Sequence, residues 1–132
     1  MTSVFADTFY FLALVNPKDK AHVRAVALTA GLQSELVTTE WVLTEFADAL
    51  SNHAHRKQFI ATLHDLRQNP HVSIVPSDAA LFEDGVRYYA ARNDKDWSLT
   101  DCISFVVMQR HGIVESLTGD HHFEQAGFTI LM

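Results

Sequence analysis

The sequence predicts an α/β fold in which a mainly parallel sheet is covered by helices on both sides. Three observations predict it. Short apolar runs alternate with helical stretches along the whole chain. Those runs are apolar on both faces, as the strands of a doubly covered parallel sheet are. No Gly/Ser linker or internal repeat divides the 132 residues, so residues 1–132 read as one domain.

The elements follow in order. Residues 3–6, SVFA, form a short buried strand, and 8–15, TFYFLALV, a helix broken by Pro17 in NPKD. Residues 20–31 are Ala-rich and helical, with Gly31 as the stop. ELVTT, 35–39, is the second strand. Helices are expected over 40–51 and 55–68, the latter ended by Asn69-Pro70, and VSIV, 72–75, is the third strand. Residues 78–92 and about 100–111 are helical. IVESLT, 113–118, is the fourth strand, HHFEQA, 121–126, a short helix, and FTILM, 128–132, the last strand.

Composition narrows the class. Hydrophobic residues make up 48% of the chain, with nine Phe and two Trp, enough for one packed core. No apolar run reaches the roughly 18 residues of a membrane span. The N-terminus has no basic segment, and Cys102 is the only cysteine, which fits a cytoplasmic protein. The net charge of −6 speaks against coating nucleic acid through diffuse phosphate neutralisation, though not against holding phosphodiesters through a bound cation.

In such folds ligands bind beyond the C-terminal ends of the strands. Acids placed there carry the functional argument. Asp7 ends the first strand, where it reads either as an N-cap or as a carboxylate projecting into the crevice. Glu45 falls on the apolar side of its helix, among Trp41, Val42, Phe46 and Ala49, whereas Glu40, Thr44, Asp48 and Ser51 share a polar arc. A carboxylate among apolar neighbours needs a partner or a cation, or else it reaches to water from the stripe's edge. Asp101 closes Ser98-Leu-Thr-Asp101, a capping-box pattern at the mouth of a helix apolar almost all round, which should be buried. Asp120 follows SLTG ahead of a short helix and again reads as a cap or a ligand. No Lys or Arg is adjacent to any of the four. Carboxylates crowded in one crevice repel, and a divalent cation relieves that repulsion. All-oxygen ligation suits Mg²⁺ or Mn²⁺ rather than Zn²⁺.

Asp7 in FADTFYFLALV, Glu45 in TTEWVLTEFADAL, Asp101 in DWSLTDCISFVVM and Asp120 in SLTGDHHFEQAGF stand in an order that resembles a PIN domain. The likeness is in particular to the VapC-type ribonuclease toxins of prokaryotic toxin–antitoxin pairs, and it covers essentially the whole chain. It implies an α/β/α sandwich around a parallel sheet and Mg²⁺- or Mn²⁺-dependent cleavage of RNA. It implies that Asp7, Glu45 and Asp101 are the core acids and Asp120 the more variable fourth. Ser98 and Thr100 match the hydroxyls that accompany the third acid, and Thr8 and Thr118 are further candidates near the metal. It also implies a homodimer and an antitoxin partner that covers the active site. HAHRK, 53–57, is the one local basic cluster.

Other readings stand beside it. The eight His match no zinc spacing and read as surface residues, with His121 and His122 close enough to Asp120 to touch substrate. Cys102 reads as inert core, Asp96 as a loop acid and the two Trp as packing. A phosphatase of the aspartyl-nucleophile type needs a second Asp two residues after the first, where this chain has Phe9. A receiver domain needs an acid pair at the first strand; Asp78 follows the third strand, but Asp7 has no acidic neighbour. A non-catalytic interaction module on the same fold is the alternative from another class.

Overall fold

A computed structural model describes residues 2–132. Five strands form one sheet: β1 (Ser3–Ala6), β2 (Glu35–Thr39), β3 (Val72–Val75), β4 (Glu115–Leu117) and β5 (Thr129–Ile130). Their spatial order is β3-β2-β1-β4-β5, and every neighbouring pair is parallel. The flanking helices are α1 (Thr8–Val15), α2 (His22–Ala30), α3 (Glu40–Ala49), α4 (Arg56–Gln68), α5 (Ala79–Ala91), α6 (Leu99–His111) and α7 (His121–Gln125). The predicted α/β architecture is the observed one.

The topology fixes where a site can form. The chain steps outward from β1 to β2 to β3, then returns to lay β4 on the other side of β1. The β1/β4 boundary is therefore the switch point, where loops diverge and leave a crevice beyond the strand ends. Ala6 is in register with Leu117, so Asp7 and Thr118 emerge side by side. The Asp7 N–H extends the ladder by donating to the Leu117 carbonyl oxygen (3.3 Å).

The core is aromatic. Phe5, Phe11, Phe46, Phe105 and Phe123 are fully buried. Phe105 meets Phe123 edge-on at 4.9 Å, and Phe11 stacks on Phe46 at 5.4 Å. Each such ring contributes about 2–3 kcal/mol of burial. Helix α6 is buried over Asp101–Met108, as its all-round apolar sequence requires. Gly85 lets α5 press against it, since a Cβ there would lie 2.3 Å from Ile103 Cγ1.

Element boundaries shift where caps intervene. The fourth strand was expected over 113–118 but pairs only over Glu115–Leu117. Gly112 turns left-handed (φ 64°) and the Ile113 N–H bonds back to the Met108 carbonyl oxygen (2.8 Å). Ile113 thus closes α6 rather than opening β4. The last strand shortens to two residues. Helix α2 starts at His22 rather than residue 20, after a turn in which Asp19 accepts from the Ala21 N–H (2.8 Å). Helix α3 stops at Ala49.

Candidate functional site

Asp7 leaves β1 in an extended conformation and stands at the N-cap position of α1, yet its side chain makes no cap bond. Its Oδ2 instead accepts from the Thr118 hydroxyl (3.0 Å) across the switch point. The Thr118 oxygen in turn accepts from the Asp120 N–H (3.0 Å). One buried hydroxyl thus ties the ends of β1 and β4 together. Asp7 is only 3% exposed. Burial pushes its pKa up to about 7, with the charges of Asp101 and Glu45 adding to the rise and hydrogen bonds from Thr8 and Thr118 opposing it. The capping reading of Asp7 fails. The carboxylate faces its fellow acids.

Asp101 sits in the first turn of α6. Ser98 caps that helix, accepting from the Asp101 N–H (3.0 Å). The cap occupies the Asp101 backbone and leaves the carboxylate to other partners. Its Oδ2 lies 3.3 Å from Nδ1 of His122. Burial raises the Asp101 pKa, and the nearby charge of Asp120 raises it further; the bonds from His122 and the Ser98 turn pull the other way. Asp120 does cap α7, accepting from the His122 N–H (2.9 Å) through Oδ1. Nδ1 of His122 is also 3.4 Å from that oxygen. His122 therefore stands between the carboxylates of α6 and α7.

Of the two sequence readings of Glu45, the edge of the buried stripe is the observed one. The buried stripe of α3 is Val42, Leu43 and Phe46; Trp41 and Glu45 are half-buried, and Ala49 is exposed. Glu45 lies at the stripe's edge, in a groove shared with Thr44, Asp48 and Thr100. It is still close enough to raise the Asp7 pKa. The Thr8 hydroxyl turns toward the Val42 carbonyl oxygen (3.5 Å), so it joins α1 to α3 rather than pointing among the acids. Asp96 is exposed beside Arg92 and Lys95, which leaves Asp120 as the fourth acid of the cluster. Trp97 is packing: it is buried, edge-on to Phe105, and its Nε1–H donates to Gln125. Cys102 is buried with its thiol pushed up to about 11, an inert core group.

Surface placement holds for His53, His55, His64, His71, His111 and His121, whereas His22 and His122 are half-buried. Among the described residues, Asp120, His121 and His122 bring their ligand atoms within 4.8 Å of one another. The sequence signal was the contiguity of these residues at a helix start. The contact to Asp101 was not visible in it.

Among the described residues no Lys or Arg forms an ion pair with Asp7, Glu45, Asp101 or Asp120. Buried carboxylates with raised proton affinity and no Lys or Arg partner form a site short of permanent positive charge. Their oxygens, with one imidazole nitrogen at the rim, fit a small divalent cation.

The sequence signature of the PIN domain matches residues 4–129. The chain belongs to the PIN domain family. A curated relative, the 23S rRNA-specific endonuclease VapC20 of Mycobacterium tuberculosis, is 28% identical over 125 residues, 95% of each chain. The crystal structure of M. tuberculosis VapC20, described as a sarcin-ricin loop cleaving toxin, superposes on this PIN domain with a TM-score of 0.86, 27% identity and 96% coverage of both chains. FitAcB from Neisseria gonorrhoeae shares the fold at TM-score 0.67 and 19% identity, over 96% of this chain and 95% of its own.

Proposed function

We propose that this PIN domain is a divalent-metal-dependent endoribonuclease and the toxin of a toxin–antitoxin pair, acting in the cytoplasm as the single domain 1–132. The observation that carries the reading is the grouping at the switch point of acids that no Lys or Arg neutralises, with the Asp7 pKa raised to about 7 and the Asp101 pKa raised as well. The likeness to an rRNA endonuclease along 95% of both chains supports RNA as the substrate. Asp7, Asp101 and Asp120 would hold the ion, and Glu45, at the groove edge, would hold it or orient the attacking water. A bound Mg²⁺ or Mn²⁺ supplies charge stabilisation at the phosphodiester and a water of lowered pKa.

The chain's own residues supply position. Thr118 fixes the Oδ2 oxygen of Asp7. Ser98 anchors the start of α6, so the Asp101 carboxylate is carried on a rigid buried helix. His122 steadies Asp101 against Asp120. Together these contacts hold the carboxylates beyond the ends of β1 and β4, where a phosphate and an attacking water would meet the ion. An antitoxin covering this mouth and a homodimer complete the reading.

The deciding experiment incubates the purified protein with total RNA in Mn²⁺ or Mg²⁺, then adds a chelator. Cleavage that needs the ion and is lost in Asp7→Ala supports the nuclease. Absence of both metal binding and cleavage sinks it and favours an interaction module.

A further inference from the structure

The carboxylate centre has two unlike flanks. On one, the groove along α3 presents Glu40, Glu45 and Asp48 beside Thr44 and Thr100. A phosphodiester strand is repelled there. On the other flank lie the start of α1 and the β4–α7 turn, where the exposed side chains are Phe9 and His121.

Phe9 is two residues beyond Asp7 and 38% exposed, in a protein whose other α1 aromatics, Tyr10 and Phe11, are buried. Its ring tip rests on Gly119, the residue between Thr118 and Asp120. A Cβ at 119 would come within 2.6 Å of Cζ and 2.8 Å of Cε1 of that ring. Gly119 does not have a positive φ, so its backbone does not demand glycine. The ring demands it. A bare residue in the acid-bearing turn thus seats an aromatic face at the mouth of the centre.

The charge balance gives that face a task. At −6 the chain has little diffuse positive surface with which to grip phosphates. Beyond the phosphate at the ion, a strand with little such charge to grip it is held through its bases, and stacking on an aromatic ring serves any base. We propose that Phe9, seated on Gly119, is the stacking platform for the nucleobase next to the scissile phosphate. The inference rests on the ribonuclease reading above and adds where the RNA strand lies: over the α1/α7 flank, away from the acidic α3 groove.

The test uses a labelled RNA oligonucleotide that the wild-type chain cuts, with Mn²⁺ present. Phe9→Leu keeps an apolar group against Gly119 and removes the π-face; Phe9→Trp keeps a face. The expected result is a KM raised about tenfold in Phe9→Leu and largely retained in Phe9→Trp. The slope of log KM against log salt stays that of the wild type, because no phosphate contact is lost. The Mn²⁺ affinity measured by calorimetry also stays. An abasic nucleotide beside the cut site should raise KM in the wild type and leave Phe9→Leu nearly unaffected. A Phe9→Leu protein with wild-type KM, or an abasic penalty equal in both proteins, overturns the platform while the nuclease stands. Wild-type protein that cuts no RNA under any divalent ion overturns both.

Discussion

Two groups of acids in this molecule have opposite fates. At the strand ends, Asp7 and Asp101 are buried without a Lys or Arg partner, and their proton affinity rises. On the outer side of α5, Asp84 accepts from Arg87 through one oxygen and from Arg110 through the other. The Arg110 bond, foremost, holds the Asp84 carboxyl below the usual carboxylate range, with Arg87 adding to it. The side-chain chemistry is the same; the surroundings differ. Asp84 is arranged for the folded state alone. The strand-end acids destabilise one another until something positive arrives, as expected where a site is built for a ligand rather than for stability.

The largest effect should come from the acid that the buried helix carries. Asp101→Asn should lower cleavage by roughly three orders of magnitude, equivalent to about 4 kcal/mol of barrier. The fold should persist, since the Ser98 hydroxyl caps α6 through the backbone N–H of residue 101, a bond the substitution leaves in place. Circular dichroism and a cleavage assay on one preparation check both halves. Unchanged cleavage by a folded variant would remove Asp101 from the chemistry.

Next in size is the stability stored at Asp7. Its folded pKa lies near 7 and its unfolded pKa near 4, so the folded state binds the extra proton between those values. Stability must then fall as pH rises from about 4 to 7 and stay low above that. Asp7→Asn should therefore stabilise the metal-free protein at pH 8, by on the order of 3 kcal/mol. The gain should vanish below about pH 4. Urea melts at pH 4 and pH 8 measure it. Mn²⁺ should then raise the wild-type midpoint, by about 2.7 kcal/mol at a hundredfold excess over Kd, and raise Asp7→Asn far less.

A smaller change sharpens the role of the imidazole. His122→Ala removes the group between Asp101 and Asp120, at 3.3 and 3.4 Å. Metal affinity should weaken by about tenfold, with the Asp120 cap intact because the backbone N–H supplies it. Calorimetric titration with Mn²⁺ decides. Wild-type affinity would make His122 a bystander.

The contrast also shows what a sequence can disclose. The sheet was legible because each strand is a short apolar run between helical stretches, and local pattern decides that. The acids were legible because three of them follow strands or open helices, positions the fold class turns toward one crevice. Their electrical state was not legible. Whether Asp7 caps α1 or faces Asp101 depends on Thr118, which lies 111 residues away and arrives only through the β1–β4 register. His122 reaches Asp101 through the packing of α7 on α6, which no periodicity encodes. The depth of Glu45 stayed open because Trp41 and Ala49 count as apolar on a wheel but do not extend the buried stripe. The end of α6 consumed Ile113 because the Gly112 turn competes with strand pairing at that point.

The smallest effect belongs to the surface node, and its sign is the informative part. A carboxyl held below its usual range contributes stability above the unfolded pKa of about 4 and loses it as pH falls further. This is the reverse of Asp7. Asp84→Asn should lower the melting temperature slightly at pH 7 and by less at pH 3. The difference should shrink as sodium chloride rises from about 0.05 to 0.5 M, because exposed pairs are screened. Cleavage and Mn²⁺ affinity should match the wild type. If Asp84→Asn instead altered metal binding, the two acid groups would be coupled through the α5–α6 packing at Gly85 and Ile103, and α6 could not be the rigid mount that the Asp101 argument requires.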